Sequence, residues 1–225
     1  AIEGSKIFEV VEDPEEHESK VSELISTGDR QQLLSRLGYT LGDLGLYDGF
    51  IITEESSAEA YLSQIVIPRF LPKMRGRIKI IASNGADDTK KRYGMMEKLY
   101  LFQYLNEGYS RRTWVLLDGD EKGIQILSDL REQFPERREF FFSLDEKRQI
   151  EHYYPADIVE KFLSKEGLNS LDELLALRDK KKRRELKIEL VREVLAHSDR
   201  EDGFFWEDAK GLVNLIADKV SVPAC

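Results

Sequence analysis

The sequence predicts an α/β protein: a mainly parallel sheet flanked by helices, followed by a helical extension. Three observations predict it. From residue 50 onward, short apolar runs alternate with segments whose apolar residues recur at helical spacing. The runs lack polar alternation, as expected of strands buried on both faces of a parallel sheet. Beyond about Pro155 only helix-period patterns remain. The chain can build such a core: its 225 residues are 41% hydrophobic and 34% charged, enough for one large domain or one domain with an appendage.

The elements follow in order. Residues 1–48 read as an acidic connecting arm. Within it, Val21–Leu37 has roughly helical apolar spacing, interrupted at Thr27-Gly28, and Gly38, Gly42, Gly45 and Gly49 then break the chain. Phe50–Thr53 is the first buried strand, and Ser56–Phe70 a helix turning Leu62, Ile65, Val66 and Phe70 inward. Ile78–Ala82 and Thr89–Leu105 form the second strand and helix, and Trp114–Leu117 and Glu121–Phe134 the third pair. Glu139–Ser143 is the fourth strand. Right-handed crossovers fix the winding. Ile158–Leu163, Ser170–Leu177, Lys187–Ala196 and Asp208–Val220 each show an apolar helical face. The expected division is therefore an arm (1–48), a catalytic domain (49–155) and a helical extension (156–225).

Composition excludes several classes. No apolar run approaches 18 residues, so no membrane span is expected. Cys225 is the only cysteine, which rules out an intrachain disulfide. The opening AIEGSKIF lacks a secretory signal, pointing to a cytoplasmic protein, and the absence of an initiator Met suggests a processed or excised piece. The formal net charge is −9, but residues 1–30 carry nine acids and three bases and so account for −6 of it. The acidic balance therefore argues only weakly against a nucleic-acid partner.

In an open parallel sheet, functional groups gather beyond the carboxyl ends of the strands. Here the first strand runs into Glu54-Glu55 and the third into Asp118-Gly119-Asp120. On adjacent strands these carboxylates would repel, by about 4 kcal/mol for two charges 4 Å apart at an effective dielectric near 20. A divalent cation relieves the conflict. Mg²⁺ takes oxygen ligands, and two ions can clamp the attacking and leaving oxygens of phosphoryl transfer. Gly119 is expected to let the chain turn tightly, so that Asp118 and Asp120 face one site. Taken alone, Asp-Gly-Asp is also a polar strand-to-helix turn.

FIITEESSAEAYL resembles the opening strand, glutamate and helix of a TOPRIM domain, and WVLLDGDEKG its DxD motif with the following Gly123. IKIIASNGADD resembles the strand and loop between them. RQIEHYYP is similar to the segment that follows the TOPRIM sheet in OLD-family (overcoming lysogenization defect) nucleases. The resemblance covers roughly residues 44–160. It implies a Rossmann-like TOPRIM fold and a Mg²⁺- or Mn²⁺-dependent DNA endonuclease or nickase, with two ions expected. It also implies an ABC-type ATPase domain outside this sequence, possible homo-oligomerisation of the full-length protein, and a role in phage defence. Other TOPRIM activities (primase, RNA-processing nuclease or topoisomerase) and a catalytically degenerate regulatory or dimerisation module stay open.

The resemblance assigns roles residue by residue. Glu54 becomes the strand-one metal ligand or acid/base group, and Asp118 and Asp120 become metal ligands. Many members carry Glu-Gly at strand one, with another acid four residues after the glutamate. Here Glu55 replaces the glycine, and anchoring on Glu55 makes Glu59 the second acid. Glu54 is favoured for its place directly after the strand, with Glu59 as partner. Glu151 is a second-metal ligand or a neighbouring contact, or else a capping glutamate. Lys210 resembles a lysine that assists catalysis by stabilising phosphate charge, or is a solvated helix lysine.

Lys180-Lys181-Lys182-Arg183-Arg184 is the strongest basic run, a candidate phosphate-backbone contact that also reads as a solvated helix face. His17, His152 and His197 are far apart and have no Cys pair, which makes a zinc site improbable. His152 reads as structural, and Phe204-Phe205-Trp206 as packing residues. No GxxxxGK[ST] occurs, so these residues do not bind ATP in the P-loop manner.

Overall fold

The computed structural model describes residues 8–13, 18–23, 47–102 and 112–220. β1 (Phe8–Asp13) and β2 (Glu18–Glu23) form a separate antiparallel pair, with Val10 opposite Val21. This corrects the helical expectation at its start. Val21–Glu23 lie in a strand, where the partner strand satisfies their backbone groups, and a three-residue stretch is too short for a 3.6-residue period to outweigh pairing. The rest of Val21–Leu37 lies outside the described residues.

The main sheet holds β3 (Gly49–Thr53), β4 (Ile78–Ala82), β5 (Thr113–Leu117) and β6 (Phe141–Ser143) in the order β4-β3-β5-β6, every pairing parallel. β3 and β5 are buried along their whole length, as the unbroken apolar runs require. β4, at the edge, exposes Lys79. The fourth strand is shorter than expected. Glu139 and Phe140 belong to a 3-10 turn (Pro135–Phe140) opened by Pro135, which supplies no donor for strand pairing.

From β3 the chain steps to β4, then returns past β3 to β5 and on to β6. Crossovers of one hand must then lie on opposite faces. On one face Ile51, Ile80, Trp114, Leu116 and Phe142 meet α1 (Ser56–Tyr61) and its continuation. On the other, Phe50, Ile52, Val115, Leu117 and Phe141 meet α3 (Ala86–Phe102) and α4 (Glu121–Gln133). Alternate residues of one strand thus feed two cores. α1 runs through a π-helical turn (Leu62–Val66) into α2 (Ile67–Phe70). The widened turn stands just before Pro68, which lacks the N–H of a regular helical bond. α3 begins three residues before the expected Thr89. Asp87 and Asp88 occupy its first turn, where negative charge suits the helix dipole.

The C-terminal helices are α5 (Ala156–Glu166), α6 (Leu171–Leu175), α7 (Lys180–Ala196) and α8 (Asp202–Lys219). Leu190, Val194, Phe205, Leu212 and Ile216 are fully buried and join the core on the α1 face. At about 1.5–3 kcal/mol per buried apolar side chain, these contacts fix α7 and α8 against the sheet and α1. α7 starts seven residues before the expected Lys187. Asp179 caps it, accepting from Lys181 N and Lys182 N at 3.0 Å each. Among the described residues, no helix is long and apolar enough to cross a membrane.

Candidate active site

Two acids stand where the strand order reverses. Glu54 follows the last residue of β3, and Asp118 follows the last residue of its neighbour β5. The chain leaves these ends in opposite directions, opening the crevice in which α/β sheets bind ligands. Glu54 is held from both sides. Its carbonyl accepts from Gly85 N at 2.8 Å, and its Oε1 accepts from Asp118 N at 2.9 Å. Both acids are only 9% exposed.

Two glycines let the backbone close around this pair. A Cβ on Gly119 would lie 1.8 Å from the Asp145 carbonyl oxygen. One on Gly123 would lie 2.1 Å from the Asp118 carbonyl oxygen and 3.1 Å from Glu54 Oε1. Close approach is therefore what Gly119 provides: among the described residues, the glycines with positive φ are Gly76, Gly85 and Gly167. Asp120 caps α4, its Oδ1 accepting from Gly123 N at 2.8 Å, while its Oδ2 accepts from Gln149 Nε2 at 3.1 Å.

The lysine among these acids is Lys187 of α7, 4% exposed. Its Nζ lies 2.6 Å from Glu55 Oε2 and 3.2 Å from Glu151 Oε1, and donates to Gln149 Oε1 at 3.3 Å. Glu151 is fully buried. Its Oε1 also accepts from Ser57 Oγ at 3.2 Å, and its Oε2 has no hydrogen-bond partner. The 3-10 turn that carries it (Ile150–Tyr153) is tied to α1, because Tyr61 Oη donates to the Tyr153 carbonyl at 2.7 Å.

Charge in the cluster is unevenly met. Burial raises Glu54 to about 7; the Asp118 N–H opposes the shift, and the charges of Asp120 and Glu55 add to it. Asp118 is also pushed well above the usual carboxylate range. Burial dominates there, Lys187 opposes it, and Glu54, Glu151 and Glu55 reinforce it. For Lys187 the balance reverses. Burial alone would lower it, but Glu151, Glu55 and Asp118 outweigh burial and keep the ammonium charged.

The other candidates stand outside these side-chain contacts. Glu59 is half-buried one turn along α1, with its N–H on the Glu55 carbonyl. Lys210 is exposed on α8. Lys180, Lys181, Lys182 and Arg184 are exposed on the first turns of α7, whereas Arg183 donates to the carbonyls of Leu175 and Leu177. His152 has a structural place: its Nδ1 accepts from Gln149 N at 3.0 Å, closing the cap of the 3-10 turn. Phe205 is fully buried, and Trp206 packs on Phe70 with ring centroids 5.3 Å apart.

Lys187, Gln149 and Ser57 were not among the sequence candidates. One signal points to Lys187: it precedes Leu190, Val191 and Val194 by three, four and seven residues, which sets it on the apolar face of α7.

The donor set offers oxygens of the kind a hard cation takes. Glu54 and Asp118 offer carboxylate oxygens that carry a charge conflict, and a buried Glu151 oxygen is left over. Among the described residues, no group of three or more His, Cys, Asp or Glu side chains is placed to hold a metal ion. Asp120 points at the α4 N-terminus and Gln149 instead.

No family model and no curated protein matches the sequence. Among solved structures, the chain is similar to the C-terminal region of the Burkholderia pseudomallei OLD protein, with 17% identity and a TM-score of 0.40 over 78% of this chain and 99% of that chain.

Proposed function

We propose that this chain is the nuclease portion of an OLD-family ATPase-nuclease, hydrolysing DNA phosphodiester bonds with Mg²⁺ or Mn²⁺. The observation that carries the reading is the buried Glu54–Asp118 pair at the reversal of strand order, with both carboxyls pushed upward. The ordered resemblance of FIITEESS, WVLLDGDEKG and RQIEHYYP to TOPRIM and OLD segments supports it. The reading includes the division into an arm at 1–48, a catalytic domain at 49–155 and a helical extension at 156–225. It also includes an ABC-type ATPase domain in the whole protein.

Glu54 and Asp118 would hold the divalent cation, with Asp120 beside them. When bound, such an ion polarises the phosphoryl group and acidifies the attacking water. The chain's own groups do the rest. Asp118 N–H fixes the Glu54 carboxylate in one orientation. The alternative role for Glu54, with the ion held by the other acids, is general acid or base work, since in the metal-free protein burial raises its carboxyl to about 7. Asp120 anchors α4, so that Gly123 stays against Glu54 and Asp118. The exposed Lys180, Lys181, Lys182 and Arg184, and Lys210 on α8, would take phosphates of the DNA backbone as point charges.

Nicking of supercoiled plasmid in Mg²⁺, Mn²⁺ or EDTA tests the reading. The expected result is metal-dependent cutting that disappears in Asp118→Ala/Asp120→Ala. Cutting that persists in that folded double variant overturns the site assignment. A wild type that binds metal yet cuts neither alone nor with an ATPase domain favours the regulatory module. Replacing Lys180, Lys181 and Lys182 with alanine should lower the slope of log affinity against log salt by about 3, one per lost phosphate contact.

A further inference from the structure

An ammonium taken out of water needs carboxylates around it, since an unpaired buried charge costs several kcal/mol or more. Lys187 meets that need inside the acid cluster itself. Its partners come from separate parts of the chain: Glu55 at the head of α1, and Gln149 and Glu151 of the segment after β6. Oxygen donors around one positive centre are also what a hard cation gathers. Through Gln149, whose amide spans Lys187 and Asp120, the ammonium is linked to the β5 end as well. The Glu54–Asp118 pair feels the Lys187 charge but makes no ion pair with it at contact distance, and the second oxygen of Glu151 is left without a hydrogen bond.

Resting on the metal-dependent reading above, we infer that the Lys187 ammonium is a built-in cation in the place of a second metal, so that the site takes one divalent ion, at Glu54 and Asp118. This departs from the two ions expected from sequence. Lys187 is a positioning residue in this scheme: it holds Glu55, Glu151 and Gln149, and through Gln149 the Asp120 carboxylate. Removing it frees the oxygens of Glu55 and Glu151 for a second ion. Neutralising Glu151 as well removes that possibility again.

Mn²⁺ binding to the full chain, counted by electron paramagnetic resonance and calorimetry, reads this directly without reference to cutting. The expected counts are one ion for wild type, one for Lys187→Arg, two for Lys187→Met, and one for Lys187→Met/Glu151→Gln. Saturating Mn²⁺ should also raise the melting temperature of Lys187→Met by more than it raises that of wild type, because two ions bind the native state. Two ions on the wild type overturn the inference and leave the metal reading standing. No ion on the wild type overturns the metal reading and the inference with it. One ion on a folded Lys187→Met overturns the inference alone. If Lys187→Met does not fold, the wild-type count and the double variant decide: one ion on each sustains the inference, and two on either overturn it.

Discussion

Glu54 and Glu55 are neighbours in sequence, yet they belong to halves of the site with opposite electrostatics. Glu55 and Glu151 face an ammonium at 2.6 and 3.2 Å, a counter-charge the fold itself supplies. Glu54 instead accepts the Asp118 backbone N–H at 2.9 Å, and neither its carboxylate nor that of Asp118 has an ammonium at contact distance. Residue type does not distinguish the halves, since all are carboxylates. What distinguishes them is contact with the helix packed overhead: α7 brings Lys187 against Glu55 and Glu151, while its charge reaches Asp118 and Glu54 only from farther off. The half without a contact ion pair is the one to which the proposed function assigns the cation.

Substitutions that remove the same charge from the two halves should act in opposite directions. Glu151→Gln takes a partner from a buried lysine and should destabilise the metal-free protein by about 3 kcal/mol, the low end for breaking a buried pair, because Glu55 remains. Glu54→Gln removes a charge that burial disfavours, and the amide oxygen can still accept from Asp118 N. At pH 8 it should stabilise the metal-free protein by about 1–3 kcal/mol. Chemical denaturation without metal compares both with wild type. A loss of stability in Glu54→Gln would erase the distinction between the halves.

Titration sharpens the same contrast. The folded protein holds the Glu54 proton up to about pH 7, above the ordinary 4.5, so the unfolded chain binds fewer protons between these values. The stability contributed by this group is therefore fully present below about pH 4.5 and lost as pH rises towards 7. The advantage of Glu54→Gln should shrink towards pH 5. Metal affinity should rise as pH rises towards 7, by up to about tenfold per unit for each proton displaced from the raised Glu54 and Asp118 carboxyls.

Smaller effects test the scaffold that both halves share. Gly119→Ala sets a methyl group against the Asp145 carbonyl and should cost about 1–3 kcal/mol through forced displacement. Its melting curve in EDTA checks this. Asp120→Ala removes the α4 cap and should cost about 1 kcal/mol without metal. It should weaken Mn²⁺ binding further, whereas loss of a cap alone would leave that binding unchanged.

Much of the sheet was legible because burial on two faces leaves a plain mark. Ile78–Ala82 was read to the residue, and Thr113 extends the third strand by one position. The acids directly after two of these strands were legible for the same reason: charge interrupts an apolar run abruptly. α3 was placed late because its start is polar, and the eye follows Tyr93 and Met96 instead. Lys187 was missed because it closes a run of basic residues that solvate the helix end, while its own partners lie 38 and 132 residues upstream. Contacts at that separation depend on docking, which local periodicity does not encode. The antiparallel pair β1–β2 was hidden by acids spread through both strands.

The position of α7 in the chain also has a consequence in time. Glu54 and Lys187 are 133 residues apart. At a synthesis rate of about 5–20 residues per second, the lysine is made on the order of ten seconds after the glutamate. A growing chain therefore possesses β3, β5 and their terminal acids well before it possesses the cation that gathers Glu55 and Glu151. Until α7 docks, those carboxylates lack this counter-charge. The centre is then completed only once α7, a helix made after the strands of the main sheet, has docked.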